Sequence, residues 1–321
     1  MQNIINNFID ELAGLPESDF LEYGKSKNEL IVDMHNMCFE ISSTCQDLHP
    51  EKCDYLIFDY AGIGDSFHTR LLAQQLSQNN KICSVVPPLV YDLYADDEKT
   101  KTYSGFTFPF RKAHTILCRK MISFITQTIN FYFSEDFKIL NSTKSIVDYL
   151  MKYGLPNNIA FETFCFSANN FKRDYSIKHH LVHNGKITDL AICPANKYII
   201  IEHCSYSFGS IDLNLYNDLI SSLKNIGIDS IIVGSEYDPF ISNTIDGRGL
   251  STYDTYTLIK NSIGFVGRNS GNQCMTSFCE NIPVFEIGVP ASLAYCKYRG
   301  NIYSFDKNNF TKQIMNHYIG I

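Results

Sequence analysis

Two glycine-containing turns in this sequence carry residue types that could bind an anion and remove a proton. In the first, Gly62 and Gly64 precede Asp65, between an apolar run at 55–60 and a helical pattern. Such a turn directs backbone N–H groups and the positive end of a helix dipole at whatever lies above it. Two interpretations of the acid stay open: a general base that takes a proton from a hydroxyl, or a plain helix N-cap. His68, one turn on, either assists it or is a partly exposed helix residue.

Two common nucleotide-binding patterns do not fit the first turn. A dinucleotide fingerprint needs a third glycine at position 67, but this residue is Phe67. It also needs an acid directly after the next strand, and no acid follows Val85 and Val86. A P-loop needs a Gly-Lys-Ser/Thr ending, which is missing. A nicotinamide-dependent enzyme is therefore disfavoured.

The second turn is Arg268-Asn269-Ser270-Gly271-Asn272, between the apolar strand 263–267 and a helix predicted over 271–280. Asn269 or Ser270 can cap that helix, and Gly271 lets a ligand approach the backbone. The exposed N–H groups, together with Arg268, can hold a diphosphate. The alternative is an ordinary turn with capping residues.

The elements that position these turns alternate between strands and helices. In the N-terminal half we predict helices at 5–12 and 28–46, a strand at 55–60, a helix through Leu71 to Leu76, and a strand at 81–88. Residues 92–112 show neither the helical nor the strand period of apolar residues and predict a long loop. Helices are predicted after it at 113–133 and 143–153. Asn184-Gly185 between alternating segments predicts a hairpin over 180–190. A strand, a helix and a further strand indicate a parallel crossover.

The C-terminal half gives a cleaner alternation. Strands are predicted at 197–203, 229–235, 263–267 and 282–288, and helices at 213–227, 251–262 and 271–280. The fold class is therefore α/β with two similar halves, with domains at 1–190 and 191–321. The last helix of the chain is a candidate to pack on the N-terminal domain.

Composition narrows the function further. The 321 residues exceed the usual size of one core, and the net charge of −7 argues against a general nucleic-acid surface. No signal peptide, spanning segment or C-x-x-C pair occurs, so we expect a cytoplasmic protein whose eleven cysteines are mostly buried small hydrophobes. Peripheral membrane contact stays open.

Together these motifs resemble the nucleotide-sugar glycosyltransferases of the GT-B fold, in particular glycosyltransferase family 9, the ADP-heptose:lipopolysaccharide heptosyltransferases. Gly64-Asp65-Ser66-Phe67-His68-Thr69 is similar to the family's Gly-Asp-(Val/Ile)-x-x-(Thr) turn. Asn269 to Cys274, with Pro283-Val284, occupies the place of Asp-(Ser/Thr)-Gly-x-x-His and the following strand. Gly247 to Ser251 is similar to the segment before the donor-site helix, and 197–205 to the opening of the donor domain. Asn269 and Cys274 stand where the family has Asp and His, and its usual Lys after the first donor-domain strand is missing.

The resemblance implies two Rossmann-like domains that face each other across a cleft. It implies transfer of a heptose or another hexose-like sugar from a nucleotide diphosphate sugar to a hydroxyl of a glycan, lipid-glycan or protein. No metal and no cofactor are expected. Asp65 would be the general base, with His68 beside it. The donor-binding residues implied are Gly62, Gly64, Glu202, Ser205, Gly234, Arg248, Gly249, Arg268, Asn269, Ser270, Gly271 and Asn272.

Other clusters are weaker hypotheses. The aromatic stretch with Tyr103, Phe106, Phe108 and Arg111 is either an acceptor surface or a packed loop. His179, His180 and His183 favour exposed strand positions over a metal cluster, and 96–98 favours a solvated charge run. Glu202 and His203 end a strand beside the predicted cleft, and two interpretations stay open: contact with the donor or acceptor, or no role in binding. The competing functions are a nucleotide-sugar hydrolase, a pyruvyl transferase and a non-catalytic nucleotide-sugar-binding protein.

Overall fold

The computed structural model describes most of both halves of the chain. The described residues are 1–95, 97–108, 115–153, 161–174, 176–177, 181, 184–192, 194–205, 209–210, 212–267, 270–279, 282–287, 302–305 and 310–319. The chain divides into two compact units. Unit 1 comprises Met1–Tyr91, Asp97–Leu155 and Cys165–Asp174, and unit 2 comprises Asp92–Asp96, Pro156–Phe164 and Tyr175–Ile321.

Unit 1 is built on one parallel sheet. Its strands are β1 (Tyr55–Phe58), β2 (Ile82–Val86), β3 (Thr100–Ser104) and β4 (Ile139–Asn141). They pair in the order β3-β2-β1-β4, and every pairing is parallel. The sheet confirms the predicted parallel crossover between β1 and β2.

The third strand corrects the prediction of a long loop at 92–112. Thr100 and Thr102 are buried on the inward side of β3, and Lys101 between them is exposed. The inward positions hold threonines in place of aliphatic residues, and their period-2 alternation therefore carried no apolar signal. A strand was missed because its buried side chains are polar.

The helices of this part of the chain precede, connect and follow the strands of the first sheet. They are α1 (Gln2–Ala13), α2 (Lys27–Asp47), α3 (Ile63–Leu76), α4 (Pro88–Tyr94), α5 (Ile116–Phe133), α6 (Ser142–Tyr153) and α7 (Phe161–Ala168). α2 begins in a capping box, in which the backbone N–H of Ser26 donates to Glu29 and that of Glu29 to Ser26. α1, α2 and α5 pack together in the apolar core of unit 1.

The aromatic stretch after β3 is part of that core. Phe106 and Phe108 are buried, and the ring of Phe106 stacks on Tyr60 with centroids 5.4 Å apart. The partly buried Tyr103 accepts a hydrogen bond from the backbone N–H of Glu51 at 2.9 Å. Arg111 lies outside the described residues. The hypothesis of an acceptor surface is therefore wrong for Phe106 and Phe108, whose rings are not available to a sugar.

The predicted charge run at 96–98 is also partly buried. Asp97 forms an ion pair with Arg70 of α3, and the side chain of Arg70 is almost completely enclosed. Asp96 lies outside the described residues. Asp97 therefore supports the core of unit 1, which corrects the expectation of a solvated run for this residue, whereas Glu98 is exposed as expected.

Unit 2 contains a six-stranded parallel sheet. Its strands are β5 (Tyr198–Glu202), β8 (Asp229–Ile232), β9 (Ile245–Asp246), β10 (Phe265–Gly267), β11 (Val284–Ile287) and β12 (Ile302–Phe305), and a separate antiparallel ribbon is formed by β6 (Cys204–Ser205) and β7 (Gly209–Ser210). The order in the large sheet is β12-β11-β10-β5-β8-β9. β5, β8, β10 and β11 lie inside or at the edges of the predicted strands.

The helices of unit 2 return the chain between these strands. They are α8 (Asn214–Asn225), α9 (Thr252–Asn261), α10 (Gly271–Met275) and α11 (Phe310–Ile319). α11 packs on α8 through buried Phe310, Ile314 and Met315. Tyr318 donates to the carbonyl of Ile263 at 3.0 Å, and its hydroxyl fills the space where a Cβ at Gly264 would lie. The C-terminal helix thus belongs to the core of unit 2.

The predicted hairpin at 180–190 does not form its second strand. Ile187–Asp189 is a 3-10 helix, and its N–H groups bond back within the same turn. His179, His180 and His183 lie outside the described residues, so the metal and surface hypotheses for them stay predictions.

Cysteine burial agrees with the sequence prediction. Of the nine free cysteines in the described residues, Cys53 and Cys204 are partly exposed and the others are buried. None of the described helices has the length and apolar character needed to cross a membrane.

Candidate functional site

In unit 1 the glycine turn lies at the carboxyl end of β1 and leads directly into α3. Gly62 is the N-cap, Gly64 is the second helical residue and Asp65 is the third. The N-cap interpretation of Asp65 is therefore wrong, because the helix begins three residues earlier than that interpretation requires. The side chain of Asp65 lies outside the described part of the structure, so its role as a base stays a prediction.

A buried acid that the sequence analysis did not consider organises this turn. Asp59 follows β1 directly, and its Oδ1 accepts hydrogen bonds from the backbone N–H of Ala61 and from Thr143 of α6, both at 3.1 Å. Thr143 in turn accepts from the backbone N–H of Tyr60 at 3.0 Å. Burial raises the pKa of Asp59, and bonds from Ser66, Ala61 and Thr143 oppose that shift. One carboxyl group therefore ties together the end of β1, the turn that leads into α3 and the start of α6.

His68 is not at the surface of this turn. Its side chain is 3% exposed, which corrects the expectation of a partly exposed helix residue. Burial lowers the pKa of His68 to about 3, so the imidazole is neutral at physiological pH. The side chain therefore packs inside unit 1, and its role beside Asp65 stays a prediction.

The second turn lies at the carboxyl end of β10 in unit 2. Ser270 is the N-cap of α10, and its Oγ accepts from the backbone N–H of Gln273 at 3.1 Å; Gly271 is the first helical residue. Arg268 and Asn269 lie outside the described residues. The prediction that Ser270 can cap this helix is confirmed.

Glu202, at the end of β5, is held by this turn. Ser270 donates its hydroxyl proton to Oε2 of Glu202, and Asn272 donates from Nδ2 to Oε1 at 2.8 Å. Glu202 is 6% exposed, whereas Ser270 and Asn272 remain partly exposed. The two residues that the sequence placed in the donor turn are thus bonded to a third predicted donor residue.

A second buried glutamate lies at the same level of the sheet. Gly267 of β10 pairs with Glu202 on one side and with Glu286 of β11 on the other, so all three side-chain positions face the same side. Gln273 of α10 donates its amide to Glu286. A Cβ at Gly267 would lie 2.8 Å from the carbonyl oxygen of Glu202. The glycine therefore makes room for the glutamate that holds Ser270.

The pKa of Glu202 in this row is shifted from its ordinary value. Burial raises the pKa of Glu202 to about 8, hydrogen bonds from Ser270 and Asn272 oppose the shift, and Asp238 adds to it. Burial lowers the pKa of His203, the next residue, which is 1% exposed and meets Tyr216 edge to face. Neither ring nitrogen of His203 has a hydrogen-bond partner within the described chain. His203 is thus enclosed, and the burial of both residues disfavours direct contact with a substrate.

The loops after β8 and β9 contain three more predicted donor residues. Gly234 and Gly249 have φ of +138° and +71°, and the N–H of Gly249 donates to the carbonyl of Gly234 at 2.9 Å. Arg248 donates to both carboxylate oxygens of Asp246 and to the carbonyl of Asp238, and its guanidinium lies over the ring of Phe240. The N–H groups of the Arg248 guanidinium therefore hold this loop together, and the charge of Arg248 is paired with Asp246.

Other positions of the predicted donor motif can also be placed. The backbone of Ser205 pairs with Gly209 in the β6-β7 ribbon. Cys274, where the resembled family has His, is 2% exposed and belongs to the interior of unit 2. Across the described residues, no group of three or more His, Cys, Asp and Glu side chains is arranged to hold a metal ion.

Sequence reasoning missed Asp59, Glu286, Gln273 and Asp238. A usable signal existed for Glu286, because a charged residue inside the apolar run IPVFEIG must be paired or neutral when buried. Asp59 gave a similar signal at the end of YLIFDY. Gln273 and Asp238 gave none, since their partners are distant in sequence or in a loop.

Two units with parallel sheets and Rossmann-like strand order, each with a strand–turn–helix at a carboxyl edge, define the GT-B fold class. No protein-family model and no curated protein matches this sequence. Solved structures do match it. The ADP-heptose lipopolysaccharide heptosyltransferase II of E. coli superposes with a TM-score of 0.60 at 12% identity, covering 83% of this chain and 98% of that one.

Two further structures agree. A glycosyl transferase of family 9 from Veillonella parvula gives a TM-score of 0.57 at 8% identity, over 85% of this chain and 90% of that one. The E. coli heptosyltransferase WaaC, solved with ADP, gives a TM-score of 0.51 at 13% identity, covering 83% of this chain and 99% of that one. The chain therefore has the GT-B fold that the resemblance implied.

Proposed function

We propose that the protein is a glycosyltransferase that moves a sugar from a nucleotide diphosphate sugar to an acceptor hydroxyl. The observation that carries the proposal is the match of heptosyltransferases to both units along almost their whole length. The Ser270 turn at the carboxyl edge of the second sheet supports it, because such edges bind ligands in open α/β sheets.

In this proposal the diphosphate lies at the Ser270-Gly271-Asn272 turn, with Arg268 nearby. Backbone N–H groups, the Ser270 hydroxyl and a guanidinium would stabilise the charge that develops on the leaving diphosphate without a metal ion. Asp65 would accept the proton of the acceptor hydroxyl. Because His68 is buried, this proposal assigns it no direct contact with the acceptor.

The test uses the full chain and a panel of ADP-, GDP-, UDP- and CMP-sugars in a thermal-shift screen. A true donor adds stability by mass action and raises the melting temperature. Release of nucleotide from the donor that binds is then measured with and without glycan acceptors. The proposal fails if no sugar nucleotide shifts the melting temperature; release without any acceptor indicates a hydrolase, and binding without release indicates a binding protein.

Asp65→Asn separates catalysis from binding. We expect the variant to bind the donor with unchanged affinity and to lose about 10²-fold or more in turnover, because a general base contributes that much. Asp10→Asn, at an exposed carboxylate on α1, is the matched control and should retain turnover. Equal turnover of Asp65→Asn and wild type would remove Asp65 from the mechanism.

A further inference from the structure

The hydrogen bond between Ser270 and Glu202 limits what the Ser270 turn can offer to a ligand. A serine hydroxyl has one proton to donate and two lone pairs to accept with. One lone pair already accepts from the backbone N–H of Gln273. While Glu202 is ionised it can only accept, so the single proton of Ser270 must point at Oε2 of Glu202. In that state Ser270 has no donor left for an anion.

A proton on Glu202 reverses this arrangement. The carboxyl O–H can then donate to Oγ of Ser270, while Oε1 continues to accept from Asn272. Ser270 would accept two hydrogen bonds and its own proton would be free for a third group. Ser270 and Asn272 are partly exposed, so a ligand can reach this proton. The same protonation removes a negative charge from directly behind the turn.

We propose that Glu202 is a positioning residue of the donor site, and that a nucleoside diphosphate binds at the Ser270 turn together with one proton, which the Glu202 carboxyl group takes from solvent. This inference rests on the proposed function. It goes beyond the fold comparison, because it makes donor binding depend on pH through Glu202.

The surroundings of Glu202 favour uptake of a proton. Asp238, in the loop after β8, acts on it with the same sign of charge, and Glu286 lies two strands away at the same level. His203 and Cys204 follow it in the chain, and Cys274 is the titratable residue of α10. No lysine or arginine of the described chain forms an ion pair with Glu202. Because burial raises its pKa to about 8, its protonation changes within an accessible pH range.

The test is isothermal titration calorimetry of the full chain with ADP, GDP, UDP and CDP between pH 6 and 9.5. For the tightest of the four, the dissociation constant should be constant below about pH 7 and should then rise toward tenfold per pH unit above pH 8. Repeating the titration at pH 9 in two buffers with different heats of ionisation should show uptake of close to one proton. This measurement needs no variant.

Glu202→Gln gives a second, independent check. Its amide nitrogen can donate to Ser270 and its oxygen can accept from Asn272, as in the protonated acid. We expect its dissociation constant to stay near the low-pH value of the wild type up to pH 9.5, with no proton uptake. Glu286→Gln is the matched control, because it changes the other buried glutamate of the row, and it should keep the wild-type slope. Circular dichroism checks that both variants fold.

The outcomes distinguish the two proposals. Binding without proton uptake in the wild type, or an unchanged slope in Glu202→Gln, overturns this inference and leaves the proposed function intact. A slope that disappears in Glu286→Gln and persists in Glu202→Gln also overturns it. Failure of all four nucleotides to bind at any pH overturns the proposed function, and this inference with it.

Discussion

Arg70 and Asp97 form an ion pair in which the side chains are 2% and 11% exposed, and it links α3 to the turn that precedes β3. Removal of the carboxylate takes away the negative charge that faces the buried Arg70 guanidinium. Asp97→Asn should therefore lower the free energy of unfolding of unit 1 by about 3 kcal/mol. Urea denaturation followed by circular dichroism measures this change.

The control for this ion pair is Lys144 with Asp148 on α6, which are neighbours one turn apart and much more exposed. Lys144→Met should cost less than about 1 kcal/mol. Equal losses for Asp97→Asn and Lys144→Met would show that burial of the Arg70 pair has no energetic importance.

Gly267→Ala should disturb the row that holds Ser270. The added methyl group would lie 2.8 Å from the carbonyl oxygen of Glu202 and 3.0 Å from the ring of Phe265, so β10 or β5 must shift. We expect a loss of about 1–3 kcal/mol in stability and weaker binding of nucleoside diphosphates. Gly14→Ala is the control, because its backbone has φ of −76° and its new methyl group would meet only ordinary contacts. Unchanged melting and binding in Gly267→Ala would contradict the close approach described here.

His68 should make the protein sensitive to acid. Its pKa is lowered in the folded state to about 3, so folding keeps it neutral while the unfolded chain binds a proton below pH 6.5. Its contribution to stability is present above pH 6.5 and is lost as the pH falls toward 3, at up to about 1.4 kcal/mol per pH unit. His68→Leu should reduce this loss in thermal unfolding between pH 7.5 and 4. Parallel curves for the two proteins would argue against an enclosed, neutral imidazole.

Glu202 should have the opposite effect in the absence of any ligand. Its pKa is raised to about 8 from an unfolded value near 4.5, so its contribution is fully present below pH 4.5 and is lost as the pH rises through 8. Glu202→Gln should gain stability relative to wild type across this window, by an amount on the order of 3–5 kcal/mol at pH 9. Differential scanning fluorimetry at pH 5, 7 and 9 follows the difference in melting temperature. A difference that does not grow with pH would contradict the burial of an ionisable Glu202.

The sequence by itself determined the α/β class, the two-sheet organisation and the places of both turns. These features depend on local patterns: apolar runs such as Tyr198–Glu202 form buried strands, amphipathic runs such as Asn214–Asn225 form helices, and glycines mark the turns between them. Even the two candidate caps of α10, Asn269 and Ser270, followed from their own segment, and Ser270 is the N-cap. Local chemistry is enough for such features because the interacting atoms are only a few residues apart.

Only the tertiary structure decided which side chains meet. Ser270 and Glu202 are 68 residues apart, and the row of Glu202, Gly267 and Glu286 depends on the register of three parallel strands joined by crossovers. The burial of Phe106 and of His68 likewise depends on the elements that cover them. Register and coverage are set by packing over the whole unit, so the contact between Glu202 and the donor turn could not be found from either segment by itself.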